Sequence, residues 1–235
     1  MAEDPFHSFE QKYAFIGQQK EMILDWLEHC YIRDPVFDFG TISSLYYDTP
    51  ALSSYDEKRN SDYLKSKVRL RWYENLKASD QNADVTCYLE VKRKYGTVRQ
   101  KERIEVVISS KKLMDDPFSD QDILSLPSRT HELRCFPPGI LVPILLIQYN
   151  RYRFMDSQSR SRIALDTDIC CNRVNTVYFP LVPPVHLGMG VLEIKGIQTE
   201  LPGSLNPIQT HLTKSAFSKY AQCLEHLANP LELRR

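Results

Sequence analysis

The chain has 235 residues, 42% of them hydrophobic, enough apolar material for a sizeable core in one domain or two tightly joined ones. Its formal net charge is +0, with 30 Lys and Arg against 30 Asp and Glu, which argues against a protein-wide attraction to nucleic acid and makes any basic surface local. Six cysteines without CxxC spacing, behind the acidic and polar opening MAEDPFHSFEQ, point to reduced thiols in a cytoplasmic protein. The longest apolar run, Ile140 to Ile147, is broken by Pro143 and is far short of the ~20 residues of a spanning helix, so no direct membrane insertion is expected.

In chain order, Phe9 to Ile16 reads as a strand, followed by a helix from Gln18 to His29 with Met22, Ile23, Trp26 and Leu27 at core spacing. Thr41 to Tyr47 is a second strand, and Asp48-Thr49-Pro50 predicts a capped helix start running toward Arg59. Two long strands, Tyr63 to Glu74 and Val85 to Tyr95, flank a polar loop around Lys77 to Ala83, and Tyr95-Gly96-Thr97 turns into a third, Val98 to Ile108. Ser109 to Pro138 is broken into short helical pieces by its prolines. Strands resume at Leu141 to Phe154, Ser161 to Thr167, around Tyr178, and Val185 to Gly196, before a helix pair or one broken helix over Pro207 to Leu227. Roughly eight strands with a helical insertion make an α+β fold, taken as a single domain over residues 1–235.

Several of these strands alternate cations with apolar residues. In Lys67-Val68-Arg69-Leu70-Arg71-Trp72 a strand puts Lys67, Arg69 and Arg71 on one face. The pattern recurs in Leu89-Glu90-Val91-Lys92, Arg99 to Arg103, Tyr149 to Arg153, Arg162 to Asp166 and Leu192 to Lys195. A half-solvated sheet alternates polar and apolar residues by default. These faces, however, are rich in Arg and Lys, whose planar forks and point charges suit phosphate oxygens. If such strands neighbour one another in a closed sheet, their charged faces line a narrow cationic channel.

The strings FEQKY, SLYYDTP, KVRLR, YLEVKRK, VRQKER, QYNRYRF, SRIALD, VLEIKG and FSKY, in this order over nearly the whole chain, resemble the polyphosphate polymerase domain of the vacuolar transporter chaperone (VTC) family, among the triphosphate tunnel metalloenzymes. The resemblance implies a closed eight-stranded antiparallel β tunnel with peripheral helices and a C-terminal helix at its mouth. It implies phosphate contacts by Lys12, Arg69, Arg71, Lys92, Arg151 and Arg162, with Ser218 and Lys219 at one mouth. Glu193 would be the main carboxylate for Mn²⁺ or Mg²⁺, with Glu10 and Glu90 as helpers. Lys67, Lys101, Arg103 and Lys195 are further tunnel-facing cations. The ligands implied are ATP or another nucleoside triphosphate and inorganic polyphosphate or tripolyphosphate, and coupling to a membrane would require a partner protein.

Two positions depart from the family pattern. The first acid of the ExExK string of related hydrolases is Ser8 here, which implies a sparser metal site, and Ala216 stands where a Lys precedes FSK in the polymerases. The leading reading is transfer of the ATP γ-phosphate onto polyphosphate. A triphosphatase using metal-activated water is the nearest competitor. From another class, a non-catalytic polyphosphate-binding module keeps the cations and needs no metal. A nucleic-acid binder needs aromatics interleaved with the cations, and Trp72, Tyr88 and Tyr152 are expected on the opposite face.

Overall fold

The computed structural model describes residues 9–74, 83–96, 98–180 and 182–228; Ser8, Thr97 and nearly all of the polar loop from Lys77 lie outside the described residues. In chain order the elements are β1 (Phe9–Ile16), α1 (Lys20–Cys30), β2 (Ile32–Arg33), β3 (Phe39–Asp48), α2 (Ser53–Arg59), β4 (Leu64–Tyr73), β5 (Asp84–Tyr95), β6 (Val98–Ser109), α3 (Ser110–Met114), α4 (Gln121–Ser125), β7 (Val142–Met155), β8 (Arg162–Val174), β9 (Val185–His186), β10 (Met189–Gly196), β11 (Thr213–Lys214) and α5 (Lys219–Ala228). Single 3-10 stretches cover Gly17–Gln19, Leu126–Leu133 and Gly203–His211.

The strands pair in the order β11-β1-β10-β8-β7-β3-β4-β5-β6, with β2 on β7 and β9 on β8. Among the described residues this path has two ends, so the sheet is not the closed eight-stranded ring that was expected. It counts eleven strands, of which β2, β9 and β11 are two-residue bridges. One end is β6, whose Arg99, Lys101, Glu102, Arg103 and Glu105 are the kind of charged row that keeps an edge strand from pairing.

The chain divides into two compact units, residues 1–41, 149–170 and 186–219 forming one and residues 42–148, 171–185 and 220–235 the other. In the first, β1 pairs with β10 and β10 with β8, both antiparallel. One face of these strands buries Tyr13, Phe15, Ile163, Leu165, Leu192 and Ile194 against α1. Helix α1 turns Ile23, Leu24 and Leu27 inward. Met22 is exposed, so that expected core position belongs to the helix flank, while Trp26 packs half-buried against the core with its indole N–H donating to the Ser204 carbonyl at 2.9 Å. Gly190 lies opposite Phe15 in register, and a Cβ there would come within 2.2 Å of the Phe15 ring and 2.7 Å of the Asp166 carbonyl oxygen.

In the second unit β3, β4, β5 and β6 form an antiparallel ladder. Leu45, Tyr47, Val68, Leu70, Trp72, Leu89 and Val91 face a core closed by Leu113, Ile123, Leu126 and Leu133 from the short helical pieces. Gly96 adopts φ +57° at the β5–β6 turn, where a side chain would also collide with Tyr63. Helix α2 starts at Ser53, later than the Asp48-Thr49-Pro50 signal predicts. Leu52 takes a left-handed conformation, and the buried Asp48 carboxylate reaches forward to accept from the backbone of Ser54 (2.9 Å) and Tyr55 (3.1 Å). Three further expectations are corrected. Tyr178 sits in a turn closed on Asn175, not in a strand. The C-terminal region is a 3-10 stretch, the bridge β11 and the single helix α5. The Val185 to Gly196 strand is split in two around Leu187-Gly188.

Candidate functional site

The register shows how alternation gathers charge in each unit. In the first, Lys12 is directly opposite Glu193, Glu10 opposite Lys195, and Lys195 opposite Arg162, all on the face away from the α1 core. Lys12 Nζ lies 3.1 Å from Glu193 Oε1, and Arg151 donates to Glu193 Oε2 at 3.1 Å. Arg151 is at the same time held bidentate by Asp166, at 2.5 and 2.6 Å. Lys219 also donates to Asp166, lies 3.9 Å from Glu193 Oε1, and stands 4.4 Å from the centre of the Tyr149 ring. Three cations thus surround two carboxylates, and Asp166 is fully buried.

Burial would by itself strip the charge from these groups, but they hold one another ionised. Burial opposes the Lys12 charge, yet Glu193, with Glu10 and Asp166 behind it, raises the ammonium above the ordinary lysine value. Burial likewise pushes Asp166 up, and the adjacent Arg151 and Lys219 override it and keep the carboxyl below its usual range. Ser218 immediately precedes α5 and Lys219 opens it. The Phe217 carbonyl accepts from Lys12 at 3.4 Å, so the Phe217-Ser218-Lys219 segment is tied to β1. Lys195 and Glu10 form a looser pair at 3.7 Å.

In the second unit Tyr46, Arg69, Glu90 and Arg103 share one rung, and Lys67, Lys92 and Lys101 the next. Glu90, 1% exposed, is the hub. Its Oε2 accepts from Arg69 Nε (2.8 Å) and Nη2 (2.6 Å) and lies 3.7 Å from Arg71, while Oε1 is 2.6 Å from Lys101 Nζ. Burial pushes the Glu90 carboxyl up, but Arg69, Arg71 and Lys101 together hold it far below the usual range. One carboxylate cannot balance three cations. Lys101 yields: desolvation, with Arg71 and Arg69 alongside, pulls it down to about 8 in spite of Glu90. Ser44 lies opposite Arg71, and its buried hydroxyl makes no hydrogen bond among the described residues.

Several residues of these clusters were not singled out from the sequence. Asp166 is two alternations beyond Arg162 in the SRIALD string and Tyr149 two before Arg151, so parity alone would have placed both on the charged face. Asp48 and Tyr220 had no such signal, because the 2.7 Å bond between Tyr220 Oη and Asp48 joins residues far apart in sequence. Lys67 lies 5.9 Å from the Tyr220 ring centre. Trp72 and Tyr152 face the cores as expected, but Tyr88 does not. It is opposite Arg71, with the Arg103 guanidinium 4.5 Å from its ring, because it has the same parity as Glu90 and Lys92.

The donor chemistry bears on the implied Mg²⁺ or Mn²⁺. Among the described residues no three His, Cys, Asp or Glu side chains come together as a metal cage. Glu193 with Asp166 beside it has hard oxygen donors of the kind a Mg²⁺-like cation takes, but Lys12 and Arg151 engage both Glu193 oxygens and Arg151 and Lys219 both Asp166 oxygens, so a cation there would have to displace one of these partners. Glu90 has both oxygens engaged by cations. A cavity of about 490 Å³ in the first unit is lined by Asp156, Gln158, Ser159, Gln198, Pro202, Gly203 and Ser204, and none of the candidate residues borders it.

Each of these two carboxylate-centred clusters brings three cations against fewer carboxylates, two in the first and one in the second. The chain belongs to the VTC domain family, whose match runs over residues 9–228 and so spans both units. No curated protein matches the chain. Among solved structures, a candidate adenylate cyclase from Vibrio parahaemolyticus is similar at 15% identity and TM-score 0.47, over 93% of this chain and 98% of that one. A second, from Bacillus halodurans, is similar at 11% identity and TM-score 0.43, over 97% and 91%. Similarity this low says nothing about activity.

Proposed function

We propose that this protein transfers the γ-phosphate of ATP onto inorganic polyphosphate, with Mg²⁺ or Mn²⁺ as cofactor. The observation that carries the reading is the surplus of cations in each cluster: Lys12, Arg151 and Lys219 against Glu193 and Asp166, and Arg69, Arg71 and Lys101 against Glu90. Cations held in a low-dielectric setting in excess of their counter-charges are arranged for an anion that arrives from solution. Membership of the VTC domain family supports the same reading.

Phosphoryl transfer asks little covalent chemistry of the protein. The terminal oxygen of the acceptor attacks the γ-phosphorus, the bond to the β-phosphate oxygen breaks, and ADP leaves. The protein holds donor and acceptor in line and neutralises the equatorial oxygens. Arg69 and Arg71, pre-set by Glu90, present guanidinium forks to phosphate, with Lys67, Lys92 and Lys101 adding charge on the same face. In the other unit Arg151 is fixed by Asp166, Lys12 and Lys219 reach the Glu193 carboxylate, and Arg162, Lys195 and Ser218 are further phosphate contacts. Glu193, with Glu10 and Glu90 as helpers, would hold the divalent cation, which would supply positive charge to offset that of the phosphate oxygens.

Incubation with ATP and Mg²⁺ or Mn²⁺, followed by gel separation of polyphosphate alongside measurement of free phosphate, tests the proposal. Polyphosphate ladders with matching ADP support it, and free phosphate without polymer replaces it with a triphosphatase. One observation favours that second reading: Ala216, ahead of the tethered Phe217-Ser218-Lys219 segment, brings no cation to hold a growing product. Among the described residues no helix is long and apolar enough to cross a membrane.

A further inference from the structure

Beyond Arg71 the charged face of β4 and β5 stops being cationic. Residues two apart on a strand share a face and lie about 6–7 Å apart, so the face can be followed outward from the Glu90 hub. Arg69, Glu90 and Arg103 are directly opposite one another, then Arg71, Tyr88 and Glu105; Tyr73 follows on β4 opposite Ile42, and Thr86 on β5 opposite Val107. Tyr88 is half-buried with the Arg103 guanidinium 4.5 Å from its ring centre, Tyr73 is 40% exposed and Val107 60%. Glu105, exposed beside Tyr88, repels any further phosphate. The Ser44 hydroxyl, on the strand position opposite Arg71, is buried and makes no hydrogen bond among the described residues. A half-solvated strand end explains one exposed tyrosine. It does not explain two tyrosines and a hydroxyl that needs a partner, in line with Arg69 and Arg71 and all within the second unit.

We propose that this end of the face is a platform for the nucleoside of a purine nucleoside triphosphate, with Tyr88 and Tyr73 stacking the base while Arg71 and Arg69 hold the phosphates. The proposal rests on the reading that the phosphoryl donor is ATP, and it adds where the base is held. The sugar and base of ATP continue the line of its phosphates, so a triphosphate spread over Arg69 and Arg71 carries its nucleoside about one rung further, some 6–7 Å beyond Arg71 and level with Tyr73. Every base has a π-face that an aromatic ring can cover, and the larger purine covers more of it. The Ser44 hydroxyl, beside the last cation, is placed for the ribose. A phosphate polymer gains nothing from this end, since Tyr73, Thr86 and Val107 bring it no charge.

The test is the double variant Tyr73→Leu/Tyr88→Leu, which keeps apolar side chains and removes both π-faces, titrated calorimetrically beside the wild type with ATP, UTP and tripolyphosphate. The wild type should hold ATP more tightly than UTP, by about threefold or more. In the variant ATP affinity should fall by about tenfold or more and the preference over UTP should vanish, while tripolyphosphate affinity stays within about twofold. If the double variant unfolds at a lower temperature than the wild type, the single Tyr73→Leu at the exposed position takes its place, with an expected ATP loss of about threefold or more. Unchanged ATP affinity overturns the platform, as does an equal loss for ATP and tripolyphosphate, which would mean that the tyrosines only support the cations. A wild type that binds ATP and UTP alike overturns the choice of a purine. One that binds none of the three compounds removes the underlying functional reading along with the platform.

Discussion

Glu90→Gln is the substitution whose outcome the geometry constrains most. The wild-type carboxylate is buried and faces Arg69 at 2.6 Å, Arg71 at 3.7 Å and Lys101 at 2.6 Å. Removing one partner of a buried ion pair costs about 3–5 kcal/mol, because the other charge is left uncompensated. Lys101 has 40% of its side chain in solvent, so the lower end applies, about 3 kcal/mol. For a chain of this size each kcal/mol moves the unfolding midpoint by about 2–4 °C, which gives a drop of roughly 6–12 °C. A bound polyphosphate would replace the missing negative charge. Tripolyphosphate should therefore bind the variant more tightly, by up to the same 3 kcal/mol or about a hundredfold, and recover much of the lost midpoint. Thermal unfolding with and without tripolyphosphate, free of divalent metal, reads both effects. A variant that melts with the wild type, or that binds tripolyphosphate no better, would refute the view that Glu90 stands in for a phosphate among these cations. If Glu90 instead helps to hold metal, added Mg²⁺ will favour the wild type.

Glu193→Gln should lower metal-dependent turnover by about 10² or more, a loss of a few kcal/mol of transition-state stabilisation, while tripolyphosphate affinity is kept or improved; full activity would move the metal carboxylate elsewhere. Lys101 is charged below its value of about 8 and neutral above it, so tripolyphosphate affinity should weaken as pH rises from 7 to 9. Lys101→Arg, charged throughout, should lack that component, and identical pH profiles for the two proteins would count against it. Gly190→Ala must displace Phe15 or the Asp166 backbone, so it should destabilise by about 1–3 kcal/mol and weaken phosphate binding at the Arg151 cluster, measured by thermal unfolding and titration; a neutral result would mean that β1 and β10 separate more easily than their register suggests.

Much of this molecule is legible from alternation alone. Residues two apart on a strand share a face whatever the fold, so Lys67, Arg69 and Arg71 had to fall together, as did Glu193 with Lys195 and Glu90 with Lys92. The same parity placed Val68, Leu70 and Trp72 in the core, and it also put Tyr88 among the cations. The end of β5 and the start of β6 were marked by local chemistry, the left-handed Gly96 turn. What alternation cannot supply is register, because the partner strand is remote in sequence and a slip of one residue exchanges the faces. Only the tertiary structure decided that Glu90 is opposite Arg69, that Asp166 clamps Arg151, and that lysines oppose lysines in two successive rungs. It also decided that, among the described residues, the pairing path ends at β6 and β11, since whether a sheet closes depends on the stagger and twist accumulated over all its strands and on no single segment.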